Sequence, residues 1–180
     1  MSKQNNEYFG VLAEFASPAK LYSGCEQIRD AGYKKWDAYT PFPVHGLERA
    51  MGIPNSKVPW ISLVLGLTGA SSGFFMEWWM SAVDYPLIIS GKPLLSWPAF
   101  VPVTFELGIL FAAFGAVFGM LALNRLPQPY HPLFQSKNFE RVTDDKFFVA
   151  IEAGDPQFDP KATAEFLESL GATNIELVKP

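Results

Sequence analysis

The chain has 180 residues, a formal net charge of −4 and a mean hydropathy of +0.11, the size of one modest domain. The net charge is modest and not clustered: no Lys/Arg run forms an electrostatic footprint for nucleic acid, and no aromatic-and-basic interleaving offers a track for single strands. The one cysteine, Cys25, excludes an intramolecular disulfide, a four-cysteine zinc site and a cysteine-held iron–sulfur cluster within this chain alone.

The N-terminus, MSKQNNEYFG, is polar and has no apolar core of the kind a signal peptide needs, so the first segment is expected to stay on the side of synthesis. YFGVLAEF (Tyr8–Phe15) is apolar and β-prone and reads as a strand. Ser17-Pro18 then supplies a helix cap followed by proline at the first helical position. Leu21, Cys25 and Ile28 recur at helical spacing until Gly32 stops the helix. Tyr33–Tyr39 alternates and reads as a second strand. TPFPVHG follows. Proline fixes φ and removes donors, which makes this stretch a stiff, non-helical connector.

The next segment changes character. From Val58 through Met76 no residue is charged, and the same holds from Leu107 through Asn124. About 20 helical residues cross a hydrocarbon core of roughly 30 Å. Val58 to about Val83 and Trp97 to about Leu123 both reach that length, and they read as two transmembrane helices joined by the loop DYPLIISGKPLLS. The competing interpretation, two long core helices of a soluble protein, fits poorly because such helices rarely stay charge-free for so long. Trp60, Trp78, Trp79 and Trp97 sit near the span ends, where indoles favour the headgroup region. Arg49, Lys57 and Arg125 flank the outer ends and only Lys92 lies in the loop. This bias places both termini in the cytoplasm and the loop in the periplasm.

Small residues recur at four-residue spacing in both spans. Gly69 and Gly73 form one GxxxG pair, Gly115 and Gly119 another, and Gly66/Ala70 and Ala112/Ala116 extend the pattern. Such stripes let two helix backbones approach closely in lipid, either within the pair or against other membrane subunits. Glu77 lies 19 positions past Val58 and Glu106 nine past Trp97, so both are expected in the outer half of the bilayer. Carboxylates in hydrocarbon face a partner, a cavity or a proton path. Asp84, and by its depth Glu77, are also read as markers of the interface; Glu106 carries the sharper signal.

The proline-rich LPQPYHPLF returns the chain to a second soluble segment. KFFVAIEA (Lys146–Ala153) reads as a strand, and Asp159-Pro160 as another cap-and-proline start. A helix carries Ala164, Phe166, Leu167 and Leu170 and stops at Gly171, before the strand Asn174–Val178. The two soluble segments repeat one order, strand–helix–strand, and each is too small to bury a core alone. Paired, they make a ferredoxin-like α+β domain of two βαβ halves. The expected organisation is therefore a transmembrane α-helical hairpin inserted into a cytoplasmic ferredoxin-like domain. Residues 1–57 hold the first half and its linker, 58–83 the first span, 84–96 the periplasmic loop, 97–123 the second span, and 124–180 the second linker and half.

Candidate chemistry is sparse. The only histidines, His45 and His131, lie in the proline-rich linkers, so neither is placed to ligate haem within a span. Their reading is interface hydrogen bonding, or proton work if they converged. No phosphate-binding loop, nucleophile elbow or metal-ligand cluster is present, and no catalytic, cofactor or metal residues are assigned. Possible proton-path or buried polar positions are Glu106, Glu77, His45 and His131.

Three strings carry a family resemblance: RDAGYKKWDAYTPFPVHGLERAMG (Arg29–Gly52), DYPLIISGKPLLSWPAFVPVTFEL (Asp84–Leu107) and LNRLPQPYHPLF (Leu123–Phe134). Together they resemble the ActD component of the bacterial alternative complex III, a family otherwise described as a domain of unknown function. The resemblance extends over nearly the full chain. It implies a respiratory quinol-oxidising complex of the bacterial inner membrane, in which haem c and iron–sulfur clusters belong to cytochrome c and iron–sulfur subunits. Quinol is handled there by polytopic partners. The ActD component is then a cofactor-free, non-catalytic accessory protein that supports the quinol-handling arm. No catalytic motif of the family transfers residue by residue. Two further readings stand beside it: a proton-conducting or coupling element using Glu106 and Glu77, and a stand-alone membrane sensor.

Overall fold

The computed structural model describes residues 7–180. The first six positions of the polar N-terminal stretch lie outside the described residues. In chain order the elements are β1 (Gly10–Phe15), α1 (Pro18–Asp30), β2 (Trp36–Tyr39), α2 (Leu47–Met51), α3 (Val58–Trp79) with a π-helical turn (Met80–Asp84), and α4 (Trp97–Leu123). Two 3-10 turns (Pro132–Gln135 and Asn138–Thr143), β3 (Phe147–Glu152), α5 (Pro160–Ser169) and β4 (Thr173–Val178) complete it. They form two compact units: one ends at Pro54 and resumes at Pro129, and the other is Asn55–Gln128.

The first unit is built on a four-stranded antiparallel sheet in the order β2-β3-β1-β4. The central pair is β1 with β3, in register from Gly10 opposite Glu152 to Phe15 opposite Phe147. Each of these central strands comes from a different half of the chain. Alternation along them sorts the side chains into two layers. Val11, Ala13 and Phe15 join Phe147, Val149 and Ile151 on one face, where Leu21, Cys25 and Ile28 of α1 and Leu167 of α5 cover them. Leu12, Phe148, Ala150 and Val178 occupy the other face.

The helix starts follow the local chemistry. Ser17 Oγ accepts from the Lys20 backbone N–H at 3.3 Å, and Asp159 Oδ1 accepts from those of Lys161 and Ala162 at 3.0 and 2.9 Å. These satisfy donors that the first helical turn leaves open. Gly32 and Gly171, at φ +90° and +82°, take the left-handed turns that end α1 and α5.

Some expectations need correction. β1 begins at Gly10 rather than Tyr8, and β2 begins at Trp36 rather than Tyr33. The second shift has a clear cause: the backbone N–H groups of Lys34 and Lys35 donate to the Asp155 carboxylate, at 2.6 and 2.8 Å, instead of to a sheet ladder. Of the two proline-rich stretches, TPFPVHG is non-helical as expected, while LPQPYHPLF ends inside a 3-10 turn. After TPFPVHG the chain forms α2, which buries Ala50 in the helix-side core and receives the Arg29 guanidinium on the Arg49 and Ala50 carbonyls, at 3.0 and 3.1 Å. After α4, the 3-10 turns bury Leu133 and Phe139 on the second sheet face, with Phe139 edge-on to Phe148 and Tyr39. That face is thereby covered; burial of these apolar side chains outweighs the weak helical preference of a proline-rich sequence.

Two buried carboxylates tie the halves together. Asp155, 2% exposed, also accepts from the Gln157 backbone N–H at 2.8 Å, so it holds three donors, two of them from the far half. Glu14, 5% exposed, pairs with Lys146 Nζ at 2.6 Å and with Asn174 Nδ2 at 2.8 Å. Burial alone would raise both carboxyls. For Asp155 the donors of Gln157, Lys35 and Lys34 win, and for Glu14 the hydrogen bonds and charge of Lys146 with Asn174 win. Both therefore sit below their ordinary values of 3.8 and 4.5.

Candidate functional site

The second unit is a pair of antiparallel helices. With its π-helical turn the first runs Val58–Asp84, and the second Trp97–Leu123, each 27 residues long and apolar enough to cross a membrane. Their contact is a seam of small residues. Gly69 and Gly73 are buried on α3, and Gly115 and Gly119 on α4. A methyl group at Gly73 would lie 3.0 Å from Leu107 Cδ1 and 3.2 Å from Thr104 Cα. One at Gly115 would lie 3.0 Å from Ser62 Cα, and one at Gly119 3.2 Å from Ile61 Cγ2. At Gly69 it would strike the Leu107 carbonyl oxygen and come within 2.7 Å of Phe111 Cβ. No side chain larger than hydrogen fits there without moving a backbone. Gly66 against Ala112 and Gly108 against Ala70 continue the seam, and Ser62 Oγ donates across it to the Ala112 carbonyl at 2.8 Å.

Beside this seam runs an open apolar groove of about 860 Å³, with Gly66, Ala70, Gly108 and Ala112 at its base and Leu67, Phe74, Trp97 and Phe105 along its sides. Thr104 lines it, and its hydroxyl oxygen is buried without a hydrogen-bond partner. Glu77 Oε2 shares that property. Glu77 stands one helical turn beyond Gly73, and neighbouring Phe74 meets Phe100 edge-on at 5.8 Å, so its carboxylate belongs to the contact side of α3.

Glu106 is placed differently. It is exposed, and it lies on the side of α4 that faces away from the Thr104–Gly108–Phe111–Gly115 contact. The two carboxylates of the long apolar helices singled out in the sequence do not converge.

The histidines belong to the sheet unit. His45 is exposed, just before α2, among residues that pack on the helix side of the sheet. His131 is half-buried: its Nδ1 accepts from the Leu133 backbone N–H at 3.3 Å, and its ring meets Phe9 edge-on at 5.2 Å on the opposite face. The sheet separates them. His131 caps a 3-10 turn.

Among the described residues no group of three His, Cys, Asp or Glu side chains could hold a metal ion. Cys25 is fully buried, and burial, with a smaller push from the Asp37 charge, raises its thiol to about 12. The reactive thiolate is therefore scarce at neutral pH. Cys25 in the native protein is expected to resist N-ethylmaleimide for hours and to react fully once denatured, which a mass-shift assay reads directly.

Sequence reasoning missed Thr104, Asp155 and Glu14. Thr104 sits unmarked in an apolar run, although a hydroxyl among large side chains is itself a signal. Asp155 and Glu14 have partners more than 100 positions away along the chain, at Lys34, Lys35, Lys146 and Asn174, and nothing local marks them.

Fold and site define a class: a small α+β unit, assembled from two separated chain segments, interrupted by a close-packed pair of helices long enough to cross a bilayer. The family is particular. Residues 9–177 match the model of the family described as Alternative complex III, ActD subunit, and the chain belongs to that family. It is thus a subunit of a multi-subunit respiratory electron-transport complex, as the resemblance in the sequence implied. No curated protein sequence matches the chain.

Proposed function

We propose that this chain is a non-catalytic, integral-membrane accessory subunit of alternative complex III that supports assembly and stability of the quinol-handling membrane arm. The observation that carries the reading is the family match, which spans both apolar helices and the sheet unit together. The helices cross the bacterial inner membrane as a hairpin, with both termini cytoplasmic and the loop containing Lys92 periplasmic. The sheet order, β4-β1-β3-β2 with α1 and α5 each linking two non-adjacent strands, supports a ferredoxin-like domain split by the hairpin. Haem c, iron–sulfur clusters and the quinol site belong to partner subunits: cytochromes c, an iron–sulfur protein and polytopic membrane proteins. This chain contributes packing surface and no redox group.

Native membranes solubilised in mild detergent test the reading. The subunit is expected to co-migrate with c-type haem absorbance on a native gel, and its deletion to remove the assembled complex rather than slow it. A free, haem-less monomer would favour a membrane sensor. A second reading draws on the unpartnered Glu77 Oε2 and Thr104 Oγ1, which fit a proton-coupling element. In that case Glu77→Gln leaves the complex assembled and lowers proton translocation per quinol oxidised.

A further inference from the structure

Glu106 presents a problem that the helix pair cannot solve internally. At 3.6 residues per turn, positions 104, 108, 111 and 115 of α4 point toward α3, and position 106 falls about 180° away. The same outward face carries Pro102, Leu110, Ala113, Val117 and Met120. On the membrane reading above, on which this inference rests, Glu106 stands about 14 Å along the helix from Trp97 and about 26 Å from Leu123. Its short side chain reaches neither headgroup layer. A carboxylate held in hydrocarbon at that depth needs a partner.

The chemistry of that partner follows from the charge inventory. Val58–Asp84 and Trp97–Leu123 contain Glu77, Asp84 and Glu106 and no Lys or Arg at all. On the outward face the polar groups are acceptors: the Glu106 carboxylate and, two turns toward the N-terminal end, the Pro98 carbonyl, which Pro102 cannot bond because it has no N–H. An acceptor-only face in a basic-free helix pair is complementary to a cation.

We propose that in the assembled complex Glu106 forms an ion pair with a lysine or arginine on a transmembrane helix of another subunit, and that the outward face of α4, with Leu110 and Val117, is the surface on which that helix packs. Removing one partner of such a pair strands the other in hydrocarbon.

The test uses the whole complex, purified through another subunit from cells carrying Glu106→Gln or Glu106→Leu. Both variants are expected to reach wild-type levels in the membrane yet to be recovered with the complex at least ~10-fold less. Wild-type recovery of Glu106→Gln overturns the ion pair. A second measurement keeps Glu106 intact and replaces Leu110 with a photoreactive phenylalanine analogue. Irradiation is expected to give an adduct with a membrane subunit, mapped to a helix bearing Lys or Arg; adducts with lipid alone overturn the docking face. If the unaltered chain fails to co-purify with the complex, the accessory-subunit reading fails instead, which separates the two claims.

Discussion

Gly69→Leu is expected to remove this subunit from the complex. The position is buried, and any β-carbon there meets the Leu107 carbonyl oxygen and the Phe111 side chain of the facing helix. A carbonyl on a rigid helix cannot rotate aside, so the helices must separate and the seam through Gly73, Thr104 and Gly66 opens with them. Overpacking costs about 1–3 kcal/mol where neighbours can adjust; a leucine side chain against a backbone belongs at or above the top of that range. Small residues are the means by which helices associate in lipid, so little else compensates. Immunoblots of purified complex should show less than ~10% of the wild-type subunit, with Gly69→Ala intermediate. Val64→Leu, on an exposed position of the same helix, should assemble normally. Full assembly of Gly69→Leu would mean that the close seam is dispensable.

The second large effect lies in the sheet unit. Asp155→Ala removes one carboxylate and orphans the backbone donors of Lys34, Lys35 and Gln157 together. Hydrogen bonds to a charged group contribute about 1.5–3 kcal/mol each and are not additive, so a loss on the order of 3–4 kcal/mol is expected. Lys34 and Lys35 lead into β2, so loosening should begin there. Hydrogen exchange of the detergent-solubilised chain should show faster exchange across Lys34–Tyr39 before β1 is affected. Asp155→Asn keeps an acceptor and should fall between.

The same carboxylates set an acid dependence. Asp155 and Glu14 have lowered folded-state pKa values, so their stabilisation is fully present above the unfolded values near 3.8 and 4.5. It is lost as pH falls through the lower folded values. The sheet unit is expected to weaken on acidification below about pH 4.5, and Asp155→Asn should flatten the lower part of that decline.

Much of the architecture was legible because its signals are local. Ser17-Pro18 and Asp159-Pro160 each mark a helix start through a side chain that reaches only two or three residues. Gly32 and Gly171 mark the ends through backbone freedom. The apolar spans announce themselves by length and lack of charge. What escaped is non-local or aperiodic. Leu133 and Phe139 cover a sheet face from 3-10 turns, which have no 3.6-residue rhythm to detect. The sequence GDPQ around Asp155 reads as a turn, and its grip on Lys34 exists only in three dimensions. Depth in the sequence ranks Glu106 above Glu77, yet both are acids within apolar runs and neither shows which way it faces. Helix phase distinguishes them, and phase relative to a partner helix emerges only when the seam is seen.

The strand order has a consequence for how the chain is made. β1 lies at the centre of the sheet, yet both of its neighbours, β3 and β4, are encoded after α4. At synthesis rates of about 5–20 residues per second, β1 waits roughly 7–30 s for its first partner. In the topology proposed above, that partner arrives on the correct side only if both helices have threaded the bilayer. A chain that inserts one helix strands its two halves across the membrane, with the Asp155 and Glu14 anchors unmatched and β1 bare. On that topology, closure of the sheet would act as a proofreading step on insertion and would leave mis-threaded copies in a form that proteases can recognise.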